Sequence, residues 1–249
     1  MIFKRKNSDK AEKWNVRTMF GPNMNFAATE AYKVLRTNLM FSFSNEGKGH
    51  VIGITSAVQG EGKSSTACNI SYVLAESGTR VLLLEADLRK PTVSSKLGLS
   101  KTPGLTNLLI GTQDYREVIQ HCTLAPNVDV ITCGDIPPNP SELLGSGRME
   151  RLMEQLKAEY DYIIMDLPPV NVVSDAIAVS RLLDGVVMVV RNEYSDKKYL
   201  AEAMRQLSMV NMRILGFVYR DTGNGKKKYG YRYRYSKKYY NYYSSYGKK

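Results

Sequence analysis

The chain has 249 residues, enough to bury one substantial core, and its hydrophobic fraction of 43% is that of an ordinary globular domain. Its formal charge of +11 sits at one end: from Arg220 to Lys249 ten Lys or Arg residues face the single acid Asp221, so this stretch alone carries +9. A nearly neutral body with a basic end argues against a uniformly cationic nucleic-acid binder, and Cys68, Cys122 and Cys133 lack the spacing of a disulfide framework or a zinc site.

Residues 1 to 28 are polar and basic and read as an arm, broken at Gly21-Pro22-Asn23. Met1 to Asn7 is basic without a following apolar core, which is not the pattern of a signal peptide. A helix is predicted from about Glu30 to Phe43, with Ala31, Val34, Leu35, Asn38, Leu39 and Ser42 on one face and Lys33, Arg36 and Thr37 on the other. Val51 to Thr55 reads as a buried strand, and the glycine-rich stretch after it opens a helix that ends near Gly78.

The alternation then continues. A strand at Arg80 to Glu85 precedes short helices at Val93 to Leu97 and Gly104 to Ile110, a strand at Val128 to Thr132 and a helix from about Arg148 to Glu159. Strands at Tyr162 to Asp166, Gly185 to Arg191 and Ile214 to Tyr219 are separated by helices at Asp175 to Leu183 and Lys197 to Val210. Strand and helix in turn specify an α/β fold, a mostly parallel central sheet with helices on both faces and ligands at the carboxyl ends of the strands. The expected organisation is an arm over 1 to 28, one domain over 29 to 222 and a tail over 223 to 249 without apolar periodicity. The longest apolar runs, Val81 to Leu84 and Gly185 to Val190, fall far short of the ~20 residues of a spanning helix, so membrane association would come from a partner.

The strongest chemical signal is Gly60-Glu61-Gly62-Lys63-Ser64-Ser65, placed between a predicted strand and a predicted helix. Glycines let successive backbone N–H groups converge on phosphate oxygens, and the helix N-terminus adds positive potential. Lys63 would reach the β and γ phosphates of ATP, and Ser64 would ligate magnesium. Asp166 ends an apolar strand where a carboxylate can hold the same magnesium. Glu85 and Asp87, two apart in extended chain, point to one side; one can serve the metal while the other accepts a proton from an attacking hydroxyl.

With these motifs, residues 30 to 220 resemble the bacterial tyrosine kinases of capsule and exopolysaccharide synthesis, the CpsD/CapB family. The family's Walker A motif resembles Ser56 to Ser65, its second acidic motif resembles Glu85 to Arg89, and its Walker B motif resembles Ile163 to Asp166 followed by Pro168-Pro169. Arg89-Lys90-Pro91 and the segment Gly134 to Leu144 match as well. The departures are Gln59 for a proline, which should loosen the loop, Glu85 for an aspartate in the metal shell, and Arg220 for an asparagine near the nucleotide base.

The resemblance implies an ATP-dependent protein-tyrosine kinase with Asp87 as general base and a cytoplasmic location at the inner face of the plasma membrane. It implies a membrane activator of the polysaccharide co-polymerase type and a tyrosine phosphatase as partners. It also implies a ring of subunits built through Glu30, Lys33 and Arg36, where Lys33 keeps a charge but not a guanidinium fork.

Nine tyrosines, Tyr229, Tyr231, Tyr233, Tyr235, Tyr239, Tyr240, Tyr242, Tyr243 and Tyr246, crowd the tail as expected phosphoacceptors. Phosphorylating all nine would take its charge from +9 to about −5 to −9. The same aromatic and basic interleaving would suit single-stranded nucleic acid, but the catalytic motifs favour a substrate tail and no stable nucleic-acid partner. A partitioning or positioning ATPase is the nearer rival; such proteins carry a lysine early in the P-loop, where this chain has Val58.

Overall fold

The computed structural model describes residues 21–43, 47, 49–122, 125 and 127–221. The nine tail tyrosines, Trp14 and the first twenty residues of the expected arm lie outside the described residues.

A seven-stranded sheet forms the centre, in the order β3-β4-β2-β5-β1-β6-β7. Its strands are β1 (His50–Ser56), β2 (Val81–Glu85), β3 (Gln120–His121), β4 (Val128–Ile131), β5 (Tyr162–Asp166), β6 (Gly185–Arg191) and β7 (Ile214–Arg220). All neighbours run parallel except β3 against β4, so the expectation of a mostly parallel sheet holds. The helices are α1 (Phe26–Ser42), α2 (Lys63–Ala75), α3 (Val93–Leu97), α4 (Leu105–Ile110), α5 (Tyr115–Val118), α6 (Pro140–Leu144), α7 (Gly147–Glu159), α8 (Asp175–Ala178) and α9 (Lys197–Met209).

The apolar strands are buried on both faces because their side chains alternate between two cores. Val51, Leu82, Leu84, Ile163, Met165 and Met188 pack on the side of α4, α7 and α9. Ile52, Ile54, Leu83, Ile164, Val187 and Val189 pack on the side of α1 and α2. At roughly 25 cal/mol per Å² of apolar surface, each fully buried Leu or Ile is worth about 2 kcal/mol, and this is what holds the strand ends in register.

Several expectations are corrected. Helix α1 starts at Phe26, ahead of the boundary expected at 29, because the Asn25 side chain accepts a hydrogen bond from the Ala28 amide and caps it there. Its inward face also differs: Leu39 is buried and Tyr32 and Leu35 pack against the core, whereas Val34 is 61% exposed and Ala31 and Asn38 face solvent. The aromatic and leucine side chains set the rotation of the helix, and Val34 falls off their stripe. The helix expected over Asp175 to Leu183 divides into α8 and a 3-10 turn at Ser180–Leu182. Helices α5 and α6 and the two-residue strand β3 were not expected; each is too short to show a period.

His50 is buried in a stack, its ring 4.6 Å from Phe43 and 5.6 Å from Tyr162. Cys68, Cys122 and Cys133 are buried free thiols.

Candidate active site

The loop of residues 57–62 joins β1 to α2 at the carboxyl end of the sheet, between β5 and β6. Gly62 immediately precedes α2 in the left-handed region at φ +98°, and the first α2 bond runs from the Thr66 amide to the Gly62 carbonyl at 3.0 Å. Lys63 and Ser64 open the helix and are buried. Glu61, sequence-predicted only as a loop member, is 1% exposed. Its carboxylate accepts the Val58 amide at 2.9 Å and the Ser195 hydroxyl, which braces the loop from within.

At the position where a proline was expected, the Gln59 side-chain oxygen accepts Lys90 Nζ at 3.0 Å.

Three of the predicted groups converge at the start of α2. Lys63 Nζ donates to Asp87 Oδ2 at 2.5 Å and stands 3.7 Å from Asp166 Oδ1. Burial pulls the Lys63 ammonium down, but Asp166 and Asp87 outweigh it and its pKa lies above the ordinary value. Asp87 also accepts the Lys90 amide on Oδ1 at 3.0 Å.

Asp166 is wholly buried, and neither of its oxygens has a hydrogen-bond partner. Burial pushes its pKa up to about 6, against the opposing pull of Lys63 and the Ser64 hydroxyl. A buried ionisable carboxylate whose nearest cation is 3.7 Å away is under-satisfied and costly, and it is the donor a hard cation seeks.

Glu85 does not join this cluster. It is register partner to Asp166 across β2 and β5, yet its Oε1 accepts the Val93 amide at 2.5 Å and its Oε2 the Cys133 amide at 3.1 Å. Two backbone donors hold the carboxylate, which ties α3 and the end of β4 to β2, whereas the sequence reading expected it in the metal shell.

Among the described residues no three His, Cys, Asp or Glu side chains form a metal-binding group. Magnesium beside a nucleotide takes one or two carboxylates and fills its shell with phosphate and water oxygens, so Ser64 and the unsatisfied Asp166 fit that ion.

Residues 49–214 match the AAA domain family. The chain is 39% identical over 232 residues to the tyrosine-protein kinase YwqD of Bacillus subtilis, covering 91% of this chain and 94% of that one. The chain belongs to the bacterial tyrosine-protein kinase family. It is also 34% identical over 202 residues to the tyrosine-protein kinase CpsD of Streptococcus agalactiae, covering 81% of this chain and 86% of the other. The kinase domain of the Escherichia coli tyrosine kinase ETK superposes with a TM-score of 0.75 at 34% identity, covering 82% of this chain and 80% of that one.

One cluster in this kinase was missed by sequence reasoning. Arg89, noted only as part of a motif, forks onto the fully buried Asp175, with Nε at 2.9 Å from Oδ2 and Nη2 at 3.0 Å from Oδ1. The Ser141 hydroxyl, from the motif segment 134–144, donates to Asp175 Oδ1 at 2.5 Å. The cluster fastens α6 and α8 to the turn after Asp87. Its signal was an acid soon after Pro168-Pro169 at the start of a helix too short to show its own period.

The expected interface triplet is divided. Lys33 pairs with Glu30 at 3.0 Å on the exposed side of α1, while Arg36 Nη1 donates to the Val73 carbonyl of α2 at 2.8 Å.

Proposed function

We infer that the chain transfers the γ-phosphoryl group of ATP to tyrosine hydroxyls, its own tail among them. The observation that carries this reading is the convergence of Lys63, Asp87 and Asp166 at the phosphate-binding end of α2.

In this reading the backbone amides of residues 60 to 65 receive the phosphates and Lys63 leaves Asp87 for the β and γ oxygens. Its departure frees Asp87 Oδ2, while the Lys90 amide keeps the carboxylate in place through Oδ1. The freed oxygen then accepts the phenolic proton as the tyrosine oxygen bonds to phosphorus and ADP leaves. Ser64 and Asp166 would hold magnesium, which would supply charge neutralisation for the phosphates. Glu85 acts here by bracing rather than by ligation.

Among the described residues no helix is long and apolar enough to cross a membrane. We place the chain in the cytoplasm, drawn to the membrane by an activator of the polysaccharide co-polymerase type and reset by a tyrosine phosphatase. Assembly into a ring through α1 would use Glu30 and Lys33 directly, and Arg36 only if it releases Val73.

The test is incubation of pure protein and activator segment with magnesium and γ-labelled ATP. Lys63→Met should abolish phosphotyrosine, and deletion of residues 223–249 should remove most of it while ATP binding persists. Labelling that survives Lys63→Met refutes the site; self-labelling unchanged by the deletion refutes the tail as substrate.

A further inference from the structure

Three side chains from outside the Gly60–Ser65 motif lie against the phosphate loop. The Tyr194 hydroxyl donates to the Gln59 carbonyl at 2.8 Å, Arg191 Nη1 to the Gly60 carbonyl at 3.1 Å, and Arg220 Nη1 to the Glu61 carbonyl at 3.5 Å. Three consecutive carbonyls of the loop thus each meet a donor from the β6 and β7 side of the sheet.

We propose that Tyr194, Arg191 and Arg220 are positioning residues that aim the loop's amides at the nucleotide phosphates. A trans peptide carries its C=O and its N–H on opposite sides. Holding the carbonyls of residues 59, 60 and 61 outward therefore turns the amides of Gly60, Glu61 and Gly62 inward, toward the start of α2. Left to itself a glycine-rich loop samples many conformations, and ordering it on binding would cost affinity. The external donors order it beforehand.

The donors are themselves fixed. Glu193 adopts φ +54°, turning the chain so that the Ser195 hydroxyl accepts the Arg191 amide at 2.7 Å and donates to Glu61. The Arg191 guanidinium lies 4.9 Å from the centre of the Tyr194 ring, a cation–π contact that holds the two donors together. Arg220 ends β7 and is register partner to Arg191 on β6.

The two glycines fit this arrangement tightly. A Cβ on Gly60 would stand 2.9 Å from the Tyr194 hydroxyl, and one on Gly62 would stand 1.4 Å from Arg220 Nη1. Glycine is needed at both places for the positive φ and also to let the donors approach.

The proposal rests on the phosphate-binding reading of this loop, and it assigns the two arginines a role as donors to carbonyls rather than as charges on phosphate. Tyr194 donates without carrying a charge, so Tyr194→Phe separates the two roles. The affinity of the full chain for magnesium ADP is measured by calorimetry in Tyr194→Phe and Arg191→Ala. Loss of one such bond weakens binding about 5-fold in Tyr194→Phe and about 10-fold in Arg191→Ala. The melting temperature without nucleotide should be unchanged, which separates positioning from general stability.

Unchanged affinity in Tyr194→Phe beside a large loss in Arg191→Ala would make the arginine a charge on phosphate and overturn the proposal. Unchanged affinity in Tyr194→Phe and Arg191→Ala would overturn it as well. Magnesium ADP bound equally well by Lys63→Met would instead defeat the phosphate-cradle reading beneath it.

Discussion

Glu85 closes β2 and Asp166 closes β5, side by side in register, both carboxylates fully buried. The two oxygens of Glu85 are taken by the amides of Val93 and Cys133, whereas Asp166 has no backbone donor and only the Lys63 ammonium, 3.7 Å from Oδ1, and the Ser64 hydroxyl near it. Two acids in one layer of one sheet therefore do different work. A carboxylate satisfied by backbone amides is a structural tie, since its charge is stabilised wherever the chain is folded. A buried carboxylate with one distant ammonium and no backbone donor remains under-satisfied after folding, and such sites belong where a ligand completes them.

The contrast is broken most severely at Asp166. Asp166→Asn removes the anion expected to face magnesium and should lower phosphotransfer about 100-fold to 1,000-fold, by analogy with removal of one strong electrostatic contact to the reacting group. Its stability effect should have the opposite sign. Because burial raises the folded-state pKa from 3.8 to about 6, the folded protein holds its proton over that interval while the unfolded chain loses it. Stability of the metal-free protein therefore falls as pH rises from about 4 through about 6, and a gap of that size corresponds to about 3 kcal/mol at most. Asparagine abolishes the titration. Above pH 6 the metal-free variant should melt higher than its parent, and below pH 4 the advantage should vanish; scanning calorimetry at the two ends decides it.

Glu85 should respond in the reverse way. Glu85→Gln keeps the shape but offers an NH₂ where one of two backbone amides needs an acceptor. Leaving one buried amide unsatisfied costs about 1–3 kcal/mol. The variant should therefore lose stability in denaturant titration yet keep magnesium affinity within about 3-fold, whereas a metal ligand would lose much more. A large selective loss of magnesium affinity with stability intact would restore Glu85 to the metal shell and erase the contrast.

The pattern of residues already made much of this legible. β1, β2, β5 and β6 are short, apolar and bounded by turn residues, so their positions follow from composition, and Lys63, Asp87 and Asp166 follow from standing at strand and helix ends. The use of each acid does not follow. Glu85 and Asp87 are two apart and equally acidic; what separates them is that α3 returns its Val93 amide to one and α2 brings Lys63 to the other. Those approaches depend on packing across distant segments. Val34 shows the same limit on a helix: its apolar character placed it inward, but Tyr32, Leu35 and Leu39 determined which way α1 turned.

Asp175 supplies a third kind of buried acid and the smallest of the expected effects. It lies at 0% exposure like the other two, but its partners are a guanidinium and a hydroxyl, Arg89 and Ser141. Arg89→Lys keeps the positive charge and loses the fork, so one of the two bonds to Asp175 is given up while Ser141 still serves Oδ1. Because the Arg89 side chain is 40% exposed, water can replace part of what is lost, and the penalty should be about 1 kcal/mol. Ser141→Ala alone should cost a similar amount. Each substitution leaves the other partner on Asp175, but the double variant leaves only a single ammonium contact, so the two penalties should sum to less than their joint effect by about 0.5 kcal/mol or more. A double-mutant cycle by urea titration measures that coupling. Strict additivity would mean that Arg89 and Ser141 act on Asp175 independently, and the three buried acids would then reduce to two kinds: those the fold itself satisfies, and the one it leaves open.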